Sequence, residues 1–237
     1  MLKSVFIPNK SNSFAWFNLV FIIVLILTGE VSASTVLFGY FLETIIIGAF
    51  NIFKMYACRH QPDDKSVWFY IPFFIVHYGG FIAVQSIFLF AIFSVSDSSF
   101  FKEPFHLIDN YQTIFQLEGM PLMLLVLAFG QLVKYYFDFL QPQKFKQFKV
   151  SEIMFKPYLR IVVQQFVVIL GGFFIAFSQA SIITAIILVL VRFLVDFCLV
   201  SIKSDSRFLD YLVDKMYDDD GKLTKDEFRK QLLLFSE

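Results

Sequence analysis

"FLETIIIGAFNIFKMYACRH", residues 41–60, places one carboxylate, Glu43, inside a run otherwise suited to hydrocarbon. Ile47, Asn51 and Lys54 follow it at offsets of 4, 8 and 11 residues, which lays all four along one face of an α-helix. A charge near the bilayer centre costs about 2.5–3.5 kcal/mol even on a lenient insertion scale, so that face must turn away from lipid. The run around it, residues 35–57, exceeds the roughly 20 apolar residues that cross a bilayer. The stretch therefore reads as a membrane-spanning helix with a polar face toward other helices.

The rest of the chain agrees. Of 237 residues, 57% are hydrophobic and 34 are Phe, and the mean hydropathy is +0.67, above the roughly 45–50% apolar content of soluble domains. Comparable apolar stretches occupy residues 14–30, 67–93, 121–140, 158–178 and 180–202. The expected fold class is an all-α polytopic integral membrane protein with about six transmembrane helices over 1–203. A short cytoplasmic helical tail over 204–237 completes it.

Net charge is zero, which gives no argument for nucleic acid, but the positions of Lys and Arg set a topology. Lys3 and Lys10, then Lys54, Arg59 and Lys65, then Lys144, Lys146, Lys149 and Lys156, then Lys203 and Arg207 mark one side. The intervening segments carry a single Lys102. Both termini are expected in the cytoplasm of a bacterial inner membrane; a five-span arrangement would put a basic segment outside. The sequence "VSAST" offers a cleavage site after Ala33, but the run before the apolar core is long for a signal peptide, so the first helix is expected to be retained. Cys58 and Cys198 fall on the reducing side, where a disulfide is not expected.

Between spans three and four, Phe105, Ile108, Tyr111 and Phe115 recur at helical spacing beside Asp109 and Glu118, which suggests a short helix on the outer surface. On the inner side, residues 141–156 interleave Lys144, Lys146 and Lys149 with Phe145 and Phe148, a pattern suited to anionic lipid headgroups. The tail carries "MYDDDGKLTKDEF" (216–228), which resembles positions of a calcium-binding EF-hand loop: Asp218, Asp220, Gly221 and a final Glu227. Met216 stands where the first acidic ligand belongs, so a helix-turn-helix with an acidic turn is expected, and calcium is the only cofactor considered.

The candidate intramembrane polar site comprises Glu43, Asn51, His77, Gln131, Arg192 and Asp196. Arg192 and Asp196 are four residues apart and can pair on one helix; Gln131, Lys134 and Asp138 share the same spacing. Glu43 and His77 lack an opposite charge within a turn, so each needs a partner on another helix, and each is the expected neighbour of the other. The glycine pairs Gly79–Gly80 and Gly171–Gly172 allow close helix approach or local unwinding. No HExxH zinc motif, GxSxG elbow or glycine-rich phosphate loop occurs. No catalytic residue is assigned.

Together "FLETIIIGAFNIFKM", "PFFIVHYGGF" and "KPYLRIVVQQFVVILGGF" resemble a family of bacterial polytopic membrane proteins classed as a domain of unknown function, family 6498. The resemblance runs over roughly residues 35–200. It implies motif positions at Glu43, Ile47, Gly48, Asn51, Lys54, Met55, His77, Gly79, Gly80, Pro157, Tyr158 and Arg160. In span four the family pattern of Ser-His and a later Asn is replaced by Gly130, Gln131 and Asp138. The resemblance implies a fold and a site, and no activity.

The leading functional expectation is transport or conduction of a proton, cation or small polar solute along the polar seam. The second is a non-catalytic membrane subunit, immunity factor or assembly partner, as a homo-oligomer or with another membrane protein. The third, weaker, is a membrane-embedded enzyme acting on lipid.

Overall fold

A computed structural model describes residues 7, 13–63, 65–96, 101, 103–177, 182–200, 207–217 and 224–236. Every regular element among them is helical: α1 (Ser13–Leu27), α2 (Ala33–Ala57), α3 (Val67–Ser96), α4 (Leu107–Phe115), α5 (Met120–Lys134), α6 (Val150–Phe177), α7 (Ile182–Val200), α8 (Arg207–Met216) and α9 (Lys225–Ser236). A π-helical turn, Tyr135–Leu140, extends α5, and a 3-10 turn at Lys144–Lys146 leads toward α6. Three segments are long and apolar enough to cross a membrane: Ala33–Ala57, Val67–Val95 and Met120–Leu140.

The opening stretch lies on the helix at the centre of the bundle. α2 packs against α3, α5, α6 and α7, while α1 leans on α7. Ser32 caps α2, its Oγ accepting the Thr35 backbone N–H at 3.1 Å, and satisfies one of the orphan donors of the first turn. Thr35 Oγ1 then donates to the Glu118 carbonyl at 2.8 Å, tying the start of α2 to the turn before α5. Deeper in, Phe38 meets Phe93 and Phe101 with ring centroids 5.0 and 5.4 Å apart. These tilted and edgewise contacts stabilise beyond their buried area.

Helix α4 packs on this cluster through Tyr111, whose ring meets Phe41 and Phe90. Asn110 and Ile114 are buried, and the Tyr111 hydroxyl bonds Ser86 Oγ at 2.7 Å. Burial pushes the Tyr111 phenol above its ordinary value, with the Ser86 bond opposing it. Phe105, Ile108 and Phe115 are exposed, while Tyr111 of the same periodic set is partly buried.

The basic connecting segment is shorter than the 141–156 expected. α6 begins at Val150, because Asp63 from the α2–α3 turn accepts the Ser151 N–H at 2.8 Å and the Ser151 hydroxyl at 3.0 Å, while Glu152 accepts the Lys149 N–H at 2.9 Å. Lys156 is consequently helical and buried, its Nζ 3.8 Å from the centre of the Phe148 ring.

The tail packs back on the bundle, α9 touching both α8 and α6. Lys225 pairs with Asp214 at 2.7 Å and Arg229 with Asp210 at 2.5 Å, closing the hairpin.

Candidate functional site

The face read from Glu43 is buried. Tyr40, Glu43, Ile47, Asn51 and Met55 all turn inward from α2, as their spacing of three and four residues requires. Glu43 is 3% exposed, and its carboxylate bonds two other helices. Oε1 accepts Gln131 Nε2 of α5 at 3.0 Å, and Oε2 pairs with the Arg192 guanidinium of α7. That guanidinium also lies 4.9 Å from the centre of the Tyr40 ring, one turn before Glu43, where the π-face adds attraction for the cation. A formally neutral clasp thus joins α2, α5 and α7, with both carboxylate oxygens engaged.

Three of the expected residues, Glu43, Gln131 and Arg192, therefore meet. His77 does not join them. It lies on the outward face of α3, where its Nδ1 bonds the Tyr158 hydroxyl of α6 at 2.8 Å and its ring stacks on Phe73 at 5.5 Å. The neighbouring Tyr78 turns inward instead, donating to the Thr44 carbonyl at 2.7 Å. Its ring fills the space beside Gly48, where a Cβ would come within 2.5 Å of Tyr78 Cε1. Gly79 and Gly80 are exposed and free of any such neighbour.

Asn51 is buried two turns below Glu43, and its Nδ2 has no hydrogen-bond partner among the described residues. Lys54 lies in the last turn of α2 with Nζ 5.5 Å from the centre of the Phe139 ring. Arg160 and Asp196 are helical, but their side chains lie outside the described residues. Asp138 stands exposed on the π-turn.

Cys58 caps α2 and is fully buried. Burial pushes its thiol up to about 11, and the Lys156 and Lys54 ammoniums offset only part of that rise, to which Glu152 adds. Such a thiol is a weak nucleophile at neutral pH.

The calcium reading concerns Asp218, Asp220 and Glu227, of which the first two lie outside the described residues. Glu227 has another task. Its Oε2 accepts the Thr224 N–H and hydroxyl, each at 2.9 Å, and Glu227 N donates to Thr224 Oγ1. This is a capping box for α9, and the bonds from Thr224 hold the carboxyl below its usual range. No group of three His, Cys, Asp or Glu side chains suited to a metal ion occurs among the described residues.

Sequence reading missed Tyr40 and Asp63. Tyr40 was legible as the residue three before Glu43 on the same face; Asp63, an ordinary loop acid, gave no local signal.

Fold and site define a helical protein with several membrane-length apolar helices, locked by a buried ionic clasp. The chain belongs to the family of unknown function DUF6498, whose model matches residues 1–215. The match includes α1 and ends before the acidic turn of the tail. No curated protein and no solved structure matches the chain.

Proposed function

We propose that this protein is a six-span subunit of the bacterial inner membrane, both termini cytoplasmic, that binds another membrane protein through its α3–α6 face. The observation that carries the reading is the exposed His77–Tyr158 pair. His77 lies ten residues into α3, about 15 Å along the axis from its start. That depth is close to the middle of a ~30 Å hydrocarbon layer, where an imidazole facing lipid is disfavoured. A partner helix removes the mismatch. It can hydrogen-bond the imidazole and approach closely over Gly79 and Gly80, whose outward sides are open.

A photo-crosslinking residue at Val76, which is 76% exposed beside His77, tests this in native membranes. The expected result is one discrete protein adduct, reduced about tenfold in the His77→Ala and Tyr158→Phe backgrounds, about what losing one to two kcal/mol of interhelical bonding does. Adducts with lipid alone would exclude the reading.

Asn51 favours a second reading, conduction along the inner face of α2, because its buried Nδ2 lies on the same face as Glu43. On that reading Glu43→Gln abolishes ion or proton flux in proteoliposomes while the protein stays folded. On the subunit reading the wild type itself gives no flux.

A further inference from the structure

We infer that the cavity at the turn between α2 and α3 is a phosphate site that holds the headgroup of an anionic phospholipid. The cavity measures about 500 Å³, and its walls include Arg59, His60, Lys65, Ser66, Trp68 and Val150. It is separate from the Glu43 clasp and from the His77 face.

Two basic side chains border it, and neither meets a carboxylate among the described residues. Arg59 donates from Nη1 to the Tyr56 carbonyl at 3.1 Å, with its guanidinium 4.4 Å from the centre of the Tyr56 ring. Lys65 holds its Nζ 4.1 Å from the centre of the Phe69 ring. Cation–π contacts position both charges without neutralising them. The carboxylate in the wall, Asp63, is turned aside to Ser151 and to the Tyr70 hydroxyl. Two basic side chains against this one carboxylate leave the described wall with a net positive charge.

The aromatic rim argues for a lipid as the source of the phosphate. Trp68 is 71% exposed at the start of α3, and Ile75, 52% exposed, continues from it seven residues further along that helix. Trp at a helix end beside Lys and Arg is the pattern of the water–hydrocarbon boundary. A headgroup in the cavity would lay its acyl chains along this apolar face, whereas free phosphate would use the cations alone. The inference rests on α3 crossing the bilayer and not on a partner at His77, so it and the crosslinking experiment fail independently.

The test uses the full chain purified in uncharged detergent and titrated with dioleoylphosphatidylglycerol, dioleoylphosphatidylcholine or inorganic phosphate, with bound species read by native mass spectrometry. The anionic lipid should bind tightest. Lys65→Gln should weaken it about fivefold, and Arg59→Gln with Lys65→Gln about thirtyfold, at roughly one charge's worth each near a headgroup. Lys144→Gln with Lys146→Gln, in the neighbouring basic turn that is the rival headgroup site, should weaken binding less than the Arg59 and Lys65 changes do. Equal binding of the two lipids would overturn the inference, as would loss confined to the Lys144 and Lys146 variant. Displacement of the lipid by equimolar inorganic phosphate would instead assign the cavity to free phosphate.

Discussion

Glu43→Leu and Arg192→Leu are each expected to lower the stability of the purified protein by about 3–5 kcal/mol, read as a large fall in melting temperature in detergent. Either change leaves its former partner buried and charged, since Glu43 is 3% and Arg192 5% exposed. In Glu43→Leu the guanidinium would keep the Tyr40 ring, a contact worth far less than the carboxylate. Gln131→Leu removes one hydrogen bond to a charged acceptor and should cost about 1.5–3 kcal/mol. The double variant Glu43→Leu, Arg192→Leu removes both charges together and should recover most of the loss, because replacing a whole buried pair by apolar groups is often nearly neutral. Two single losses that simply add would show that the residues do not act as a pair.

The same experiment bears on function. A clasp whose oxygens are both engaged across three helices is a lock on helix packing first. Loss of folding in Glu43→Leu with recovery in the double variant would support the subunit reading. If flux exists and vanishes in Glu43→Gln at unchanged melting temperature, the conduction reading stands instead.

The helices themselves were legible in the sequence because each long apolar run has few other ways to satisfy its backbone. Expected runs at 35–57 and 67–93 correspond to Ala33–Ala57 and Val67–Ser96. The inward face of α2 was legible too, since polar Glu43 and Asn51 marked it at helical spacing. What α3 does with His77 was not legible. That helix is apolar on all sides, so its pattern cannot say which face turns inward, and one residue's rotation of about 100° separates outward His77 from inward Tyr78. The ring of Tyr78 fits against the Cβ-less surface of Gly48, a contact 30 residues away in sequence.

Arg192 illustrates the same limit. Asp196, whose side chain lies outside the described residues, is the local i,i+4 candidate, and the Arg192 guanidinium also reaches Glu43, 149 residues distant in sequence. A cross-helix pair in a low-dielectric interior is worth more than an exposed helical pair of a few tenths of a kcal/mol. The start of α6 was missed for a related reason: its cap comes from Asp63, 88 residues earlier. Local propensity cannot report a cap that arrives through tertiary folding.

Gly119→Ala should be among the most damaging small substitutions in the chain. Gly119 caps α5 at φ 74°, in the left-handed region, where a side chain alone costs about 1–2 kcal/mol. Its Cβ position also lies 2.2 Å from the Glu30 carbonyl oxygen and 2.6 Å from Val31 Cγ1. The first of these is backbone and cannot swing aside as a flexible side chain would. Relieving it must separate the α1–α2 turn from the start of α5, where Thr35 also bonds the Glu118 carbonyl. Overpacking adds about 1–3 kcal/mol, so the total is expected at roughly 2–5 kcal/mol. Gly29→Ala provides the comparison. Its φ is 79°, but its Cβ would meet nothing within 4 Å, so it should cost only the backbone part. A clear gap in melting temperature between the two variants would show that the turn after α1 and the start of α5 are in close backbone contact. Equal losses would mean that the strain is local to each glycine and that the contact with Glu30 contributes nothing.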